Sequence, residues 1–233
     1  MNTVDRVRSR LAGVPVGLTE MARTLQLMAE LRSEGWHRSI NQLPTNGSGE
    51  PVPWITYPAM HWLDRVLAPH HTVFEFGSGG STLFLADRVA RIVSVEHDAA
   101  WAEMVRTQLP MNAELHLAAT HGDESILETG GDYTDVLLRQ DHAFDLIVVD
   151  GRARNACVSA AADMVAPNGI VLLDDADRLQ YRPSHDLLTR GGFGRLDFFG
   201  PKPGLGFMSL TSVFSRDFSP WLRNLAPPSP TGH

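Results

Sequence analysis

The stretch that most constrains this chain runs from Thr72 to Asp98, TVFEFGSGGSTLFLADRVARIVSVEHD. Val73, Phe74, Glu75 and Phe76 form an apolar run broken by one carboxylate, and pass directly into Gly77-Ser78-Gly79-Gly80. Apolar β-formers that end in a glycine cluster and lead into a helical pattern read as strand, tight turn and helix N-terminus. Glycine permits positive φ at such a turn and lets the backbone approach a ligand closely. Ser81 and Thr82 are expected to cap the helix, which carries Leu83, Phe84, Ala86 and Val89 on its apolar side. A second apolar run, Arg91 to Val95, ends in Glu96. Together these form a βαβ unit with a glycine loop at its first turn and an acid at the tip of its second strand.

An acid at that tip can accept hydrogen bonds from both hydroxyls of a ribose, and Glu96 follows Gly77 by 19 residues, close to the dinucleotide spacing. Two features of the loop disfavour NAD. The third glycine of Gly-x-Gly-x-x-Gly, needed for helix packing, is Thr82 here. Glu75, two residues ahead of the first glycine, would repel a pyrophosphate but suits a ligand bearing an ammonium group. S-adenosylmethionine (SAM) has that ammonium, a ribose and no phosphate.

Glu75-Phe76-Gly77-Ser78-Gly79-Gly80 followed by Val93-Ser94-Val95-Glu96 resembles motif I and the post-I acid of the class I SAM-dependent methyltransferases. The resemblance spans about Trp54 to Phe214. It implies an α/β fold: a Rossmann-like, doubly wound, mostly parallel seven-stranded sheet with a terminal antiparallel hairpin. It assigns the cofactor to Glu75, Gly77, Ser78, Gly79, Ser81, Glu96 and His97, with Asp150 beside them and Asp123 as the acid that touches adenine. His121 is the weaker candidate in that same loop.

Downstream, Phe144 to Val149 is a strand ending in Asp150, and Ile170 to Leu173 is one ending in Asp174-Asp175, after a turn at Pro167-Asn168-Gly169. Adjacent parallel strands lie roughly 5 Å apart, so the three carboxylates should converge at the carboxyl edge of the sheet, where open α/β sheets bind ligands. Some cation must offset them. The arrangement resembles the metal-dependent O-methyltransferases, whose members acting on sugar hydroxyls of natural products can use Asp, then Asp-Asp. That resemblance implies Mg²⁺ on Asp150, Asp174 and Asp175, hard oxygen ligands suited to such an ion. The bland alternative has Asp150 capping its strand and Asp174-Asp175 capping the next helix, with Arg152, Arg154 and Arg178 as partners. For a general base the candidates are Asp150, His185 and Tyr181; no lysine lies near the acids in sequence.

Composition narrows the rest. At 233 residues and 43% hydrophobic content the chain can build one full core. Three segments are expected: helix and linker over 1–50 (lid or dimer contact), the methyltransferase domain over 51–220, and a tail over 221–233. Residues 18–32 place Leu18, Met21, Leu25 and Met28 on one helical face, suited to packing on the domain or across a homodimer. Residues 41–53 read as a loop, and Trp54 with Tyr57 as an aromatic pair beside the cofactor or in the core. A net charge of −7 with no basic tract argues against nucleic acid as partner. No signal-peptide core or membrane-length apolar run is present, so a cytoplasmic location is expected. The leading function is transfer of methyl from SAM to a hydroxyl of a sugar, oligosaccharide or related small molecule, aided by Mg²⁺. Alternatives are a metal-independent methyltransferase acting on another small molecule or a protein side chain, and a SAM-binding module without turnover.

Overall fold

The computed structural model describes residues 17–39, 43–120 and 131–223. The candidates His121 and Asp123, and residues 224–233 of the tail, lie outside the described residues. Seven strands form one sheet: β1 (Thr72–Phe76), β2 (Arg91–Glu96), β3 (Ala113–Leu117), β4 (Phe144–Val149), β5 (Val165–Leu173), β6 (Gly194–Pro201) and β7 (Met208–Ser215). Their order is 3-2-1-4-5-7-6, parallel through β5 and antiparallel at β5–β7 and β7–β6. This is the doubly wound sheet with a terminal hairpin that the sequence implies. The order reverses between β1 and β4, the place where such sheets leave a crevice beyond their strand ends.

The helices are α1 (Leu18–Ser33), α2 (Tyr57–Val66), α3 (Gly80–Ala86), α4 (Ala99–Arg106), α5 (Asp132–Leu138), α6 (Arg154–Met164), α7 (Arg182–Arg190) and α8 (Ser219–Leu222). Strands covered on both faces read as near-continuous apolar runs, and alternation sorts their side chains. Phe74, Phe76, Ile147, Val149, Val171 and Leu173 enter one core layer, with Tyr133 of α5 and Val158 of α6. Val73, Leu146, Val148, Ile170 and Leu172 enter the other, with Leu63 of α2 and Phe84 of α3. Glu75 shares Val73's side of the strand, so the same alternation turns its carboxylate toward the start of α3.

Four local expectations need correction. The Pro167-Asn168-Gly169 stretch is not a turn ahead of a strand. It lies inside β5, where pairing jumps from Phe144↔Val165 to Leu146↔Ile170. A Cβ on Gly169 would come within 2.8 Å of the Asp145 carbonyl oxygen, which explains the small residue there. Ser81 and Thr82 do not cap α3. The cap is Gly79, and Thr82 lies in the first turn with its hydroxyl accepting from the Gly79 N–H at 3.0 Å. Trp54 and Tyr57 separate: Tyr57 is a core residue, and Trp54 is a partly exposed rim residue. Finally, the apolar side of α1 does not pack on its own domain, since Met21, Leu25 and Met28 are exposed.

Candidate active site

Register determines which residues meet. Phe76 pairs with Val95 on one side and with Val149 on the other, and Val149 pairs with Leu173. The residues that follow at the strand ends are therefore neighbours: Gly77, Glu96, Asp150 and Asp174. They line one cavity of about 680 Å³, within the usual range for small-molecule sites.

On the β1–β2 side, Glu75 is 1% exposed. Its Oε2 accepts from the Thr82 hydroxyl at 2.6 Å and the Ser94 hydroxyl at 2.8 Å. Thr82 thus ties the carboxylate to the glycine loop, which accounts for the residue that breaks the dinucleotide pattern. Burial pushes the Glu75 carboxyl up to about 7; hydrogen bonds from Ser81, Thr82 and Ser94 work the other way. Gly77 has φ 97° and Gly79 φ 156°. A Cβ on Gly77 would lie 3.2 Å from the Gly151 backbone, and one on Gly79 would lie 3.4 Å from the Trp101 ring. Trp101 in turn donates its indole N–H to the Ser78 carbonyl at 2.7 Å. Glu96 is buried at the tip of β2. Its Oε2 accepts from the Ser78 N–H at 3.1 Å and its Oε1 from the backbone N–H groups of His97 and Asp98 at 2.7 and 2.9 Å. The His97 ring nitrogen Nδ1 lies 2.7 Å from Glu96 Oε1. Glu75, Gly77, Ser78, Gly79, Ser81, Glu96 and His97 all line the cavity.

The opposite wall holds the acids. Asp150, Asp174 and Asp175 converge as expected, but they arrive with cations of their own. Arg154, buried at the start of α6, donates to the carbonyl oxygens of Gly151, Asp150 and Asp174 at 3.0, 2.9 and 2.6 Å, and to Asp150 Oδ1 at 2.9 Å. Arg178 lies 2.5 Å from Asp175 Oδ2. Lys202, reaching in from the β6–β7 loop, donates to Asp174 Oδ2 and to Asp175 Oδ1, the latter at 2.5 Å. Thr211 and Ser209 of β7 donate to Asp174 Oδ1 at 2.8 Å and to Asp175 Oδ1 at 2.9 Å. As arranged, these carboxylates do not fit a divalent ion, because both oxygens of Asp174 and of Asp175, and Oδ1 of Asp150, are occupied by ammonium, guanidinium and hydroxyl donors. No group of three or more His, Cys, Asp or Glu among the described residues is placed to hold a metal.

Burial and neighbouring charge together set the protonation of this wall. Burial, reinforced by the neighbouring Asp174 charge, pushes the Asp150 carboxyl well above the usual range, against the pull of Arg154 and Lys202. Burial would also raise Asp175, but Lys202, Arg154 and Arg178 outweigh it and hold that carboxyl below the ordinary value. Lys202 stands above the usual lysine range, its burial outweighed by Asp174, Asp150 and Asp175.

Of the other candidates, Tyr181 is buried and lines the cavity beneath the Arg154 guanidinium, 5.5 Å from its ring centre. His185 does not line it. Its Nε2 lies 2.9 Å from the Ala176 carbonyl oxygen and its ring packs on Phe214 at 5.4 Å, so its polar edge serves the fold. The cavity mouth is apolar, with Leu43, Pro44, Val52, Trp54, Leu205 and Phe207. Trp54 donates to the Pro203 carbonyl at 2.8 Å and Trp36 to that of Leu205 at 2.9 Å, pinning the loop that carries Lys202. Sequence reasoning did not find Lys202, Trp101 or these two indole ties. The one available signal was that the only lysine of the chain lies in a hairpin loop on the ligand side.

Residues 74–176 match the family model of a methyltransferase domain, a span that includes the glycine loop, Glu96 and all three strand-end acids. Over that span the chain is similar to a methyltransferase domain, which together with the fold supports the class I SAM-dependent reading. No curated protein matches this chain in sequence. Among solved structures it is similar to a candidate O-methyltransferase from Klebsiella pneumoniae, at TM-score 0.55 and 14% identity over 90% of this chain and 93% of that one. An rRNA methylase from Streptococcus thermophilus matches at TM-score 0.51 and 12% identity, over 70% and 98%. A spermidine synthase from Thermotoga maritima matches at TM-score 0.51 and 14% identity, over 72% and 60%. At these identities the likeness is one of fold. No helix among the described residues is long and apolar enough to cross a membrane.

Proposed function

We propose that this methyltransferase transfers the SAM methyl group to a hydroxyl of a sugar or related ring-bearing small molecule, with Asp150 as general base and without a metal ion. The observation that carries the reading is a single cavity with a buried carboxylate and a ribose-type acid on one wall and Asp150 on the other. Glu75 supplies the countercharge for the ammonium of SAM, Glu96 accepts from the ribose hydroxyls in exchange for its bonds to Ser78, and Gly77 and Gly79 leave room for the backbone to approach. SAM supplies the methyl: as the acceptor oxygen bonds to it, the carbon–sulfur bond breaks and the electron pair stays on sulfur. Asp150, whose side chain is 24% exposed, takes the proton from the hydroxyl. Its raised pKa strengthens it as a base and sets the pH above which it is ionised. Trp54 and Phe207 offer flat apolar faces at the mouth on which a ring can lie. The support for Mg²⁺ was the acid triplet, and its cations leave that reading without a site.

Methyl transfer from labelled SAM to a panel of sugars and catechols, with and without EDTA, tests this. Turnover insensitive to EDTA is expected, and Asp150→Asn should lower kcat by about 10²–10⁴-fold, the usual worth of a positioned base, while leaving the Kd for SAM within about twofold. SAM binding with no transfer to any hydroxyl would favour a non-catalytic module.

A further inference from the structure

We infer that the Lys202 ammonium is the resident cation of this site. It fills the place between the strand-end carboxylates that a divalent ion would take, and its remaining N–H holds the acceptor oxygen beside Asp150. The second part rests on the O-methylation reading; the first does not.

Three observations carry the inference. Asp174 and Asp175 are consecutive, so in a regular strand they would point to opposite faces. Asp175 instead adopts φ 52°, a left-handed conformation uncommon for a non-glycine residue, and the two carboxylates meet at one Nζ atom. Next, both oxygens of Asp174 and of Asp175 and one of Asp150 already have donors. Thr211 takes Asp174 Oδ1, Arg178 takes Asp175 Oδ2 and Arg154 takes Asp150 Oδ1. Ca²⁺ or Mg²⁺ would need several free oxygens at roughly 2.0–2.6 Å, and three carboxylates already face three cations. Lastly, Lys202 is built in. It is 3% exposed, and its loop is pinned by Trp54 and Trp36. An ammonium has three donors. Two are spent on Asp174 and Asp175, and the residue lines the cavity, so the third is available to an acceptor oxygen there. A cationic donor on that oxygen stabilises the negative charge that grows as Asp150 removes the proton.

Electron paramagnetic resonance of Mn²⁺ with the full chain, at up to about 1 mM as the weak end of protein divalent sites, tests the first part. Wild type is expected to leave the ion free. Lys202→Ala, which uncovers the carboxylates, should bind one Mn²⁺ at least about tenfold more tightly, and adding Asp174→Asn should abolish it. Mn²⁺ binding by wild type that is lost in Asp174→Asn would overturn the inference, as would a folded Lys202→Ala that binds no better than wild type. Lys202→Met keeps the aliphatic stem and gives the same readout if the alanine variant does not fold. Wild type also tests itself. Lys202 is the only lysine, so amine labelling followed by peptide mass should leave it unmodified with or without Mg²⁺. Labelling that appears on adding Mg²⁺ would show an ion displacing it and would refute the assignment.

For the second part, Lys202→Met should raise the acceptor KM by about tenfold or more, the loss of a charged hydrogen bond, with SAM affinity within about twofold. Equal loss of SAM and acceptor affinity would mean that the residue only supports the fold. Absence of hydroxyl methylation in wild type would sink the O-methylation reading and leave the Mn²⁺ result standing.

Discussion

At Glu75 burial holds the proton of a carboxyl up to about pH 7, among hydroxyls that only partly replace water. Below the ordinary value of 4.5 the group is protonated in folded and unfolded chains alike. As pH rises the unfolded chain ionises first, so the free protein loses stability between about 4.5 and 7, by on the order of 3 kcal/mol for such a shift. Glu75→Gln removes that ionisation. It should raise the thermal midpoint of the free protein at pH 8 while weakening SAM binding, both readable by scanning and titration calorimetry. Because the ammonium of SAM needs the carboxylate form, SAM affinity in wild type should fall by up to about tenfold per pH unit below 7, and fall again above about 7.7–8.0 as an α-amino group loses its proton. The glutamine variant should lose the acid limb only; retention of that limb would place the titration elsewhere. Glu75 and Glu96 were legible in the sequence because each sits beside a glycine loop or at a strand tip whose position the pattern fixes. Lys202 was not, because it is 27 residues from Asp175 along the chain and in bonding contact in space. His185 shows the converse: close to the acid pair in sequence, it is turned to the Ala176 carbonyl.

The elements behave similarly. Apolar runs identified β1, β2, β4 and the second half of β5, since strands covered on both faces leave little else to read. What the runs could not convey was register inside β5, where three extra residues bulge out beside Phe144 and Asp145. Two connections shape the cavity. At the β1–α3 turn, Gly77→Ala would force a side chain into φ 97° and against Gly151 at 3.2 Å. A loss of about 1–3 kcal/mol is expected in denaturant unfolding. In the β6–β7 loop, Trp54→Phe keeps an apolar face but removes the bond to the Pro203 carbonyl. Amide hydrogen exchange over residues 202–207 should quicken, by a factor matching the roughly 1 kcal/mol of a lost hydrogen bond, and the rest of the sheet should be unaffected. Unchanged exchange in the loop would mean that Trp36 alone pins it.

For the molecule as a whole, ligand and fold are linked through the cavity, because β1, β2, β4 and β5 all end in it. S-adenosylhomocysteine at about 100 times its Kd should stabilise the chain by about 2.7 kcal/mol, or roughly 5–10 °C in Tm for this size. Glu96→Ala should abolish most of that shift. An equal shift in the variant would remove Glu96 from the ribose role. The cavity is also assembled unevenly along the chain. Its glycine-loop wall and acids come from residues within the matched span 74–176, whereas its apolar mouth and Lys202 come from residues 43–54 and 202–207 on either side. On the function proposed above, exchanging the flanking segments, which Trp54 ties together, is expected to change the acceptor while the glycine-loop wall is carried over intact.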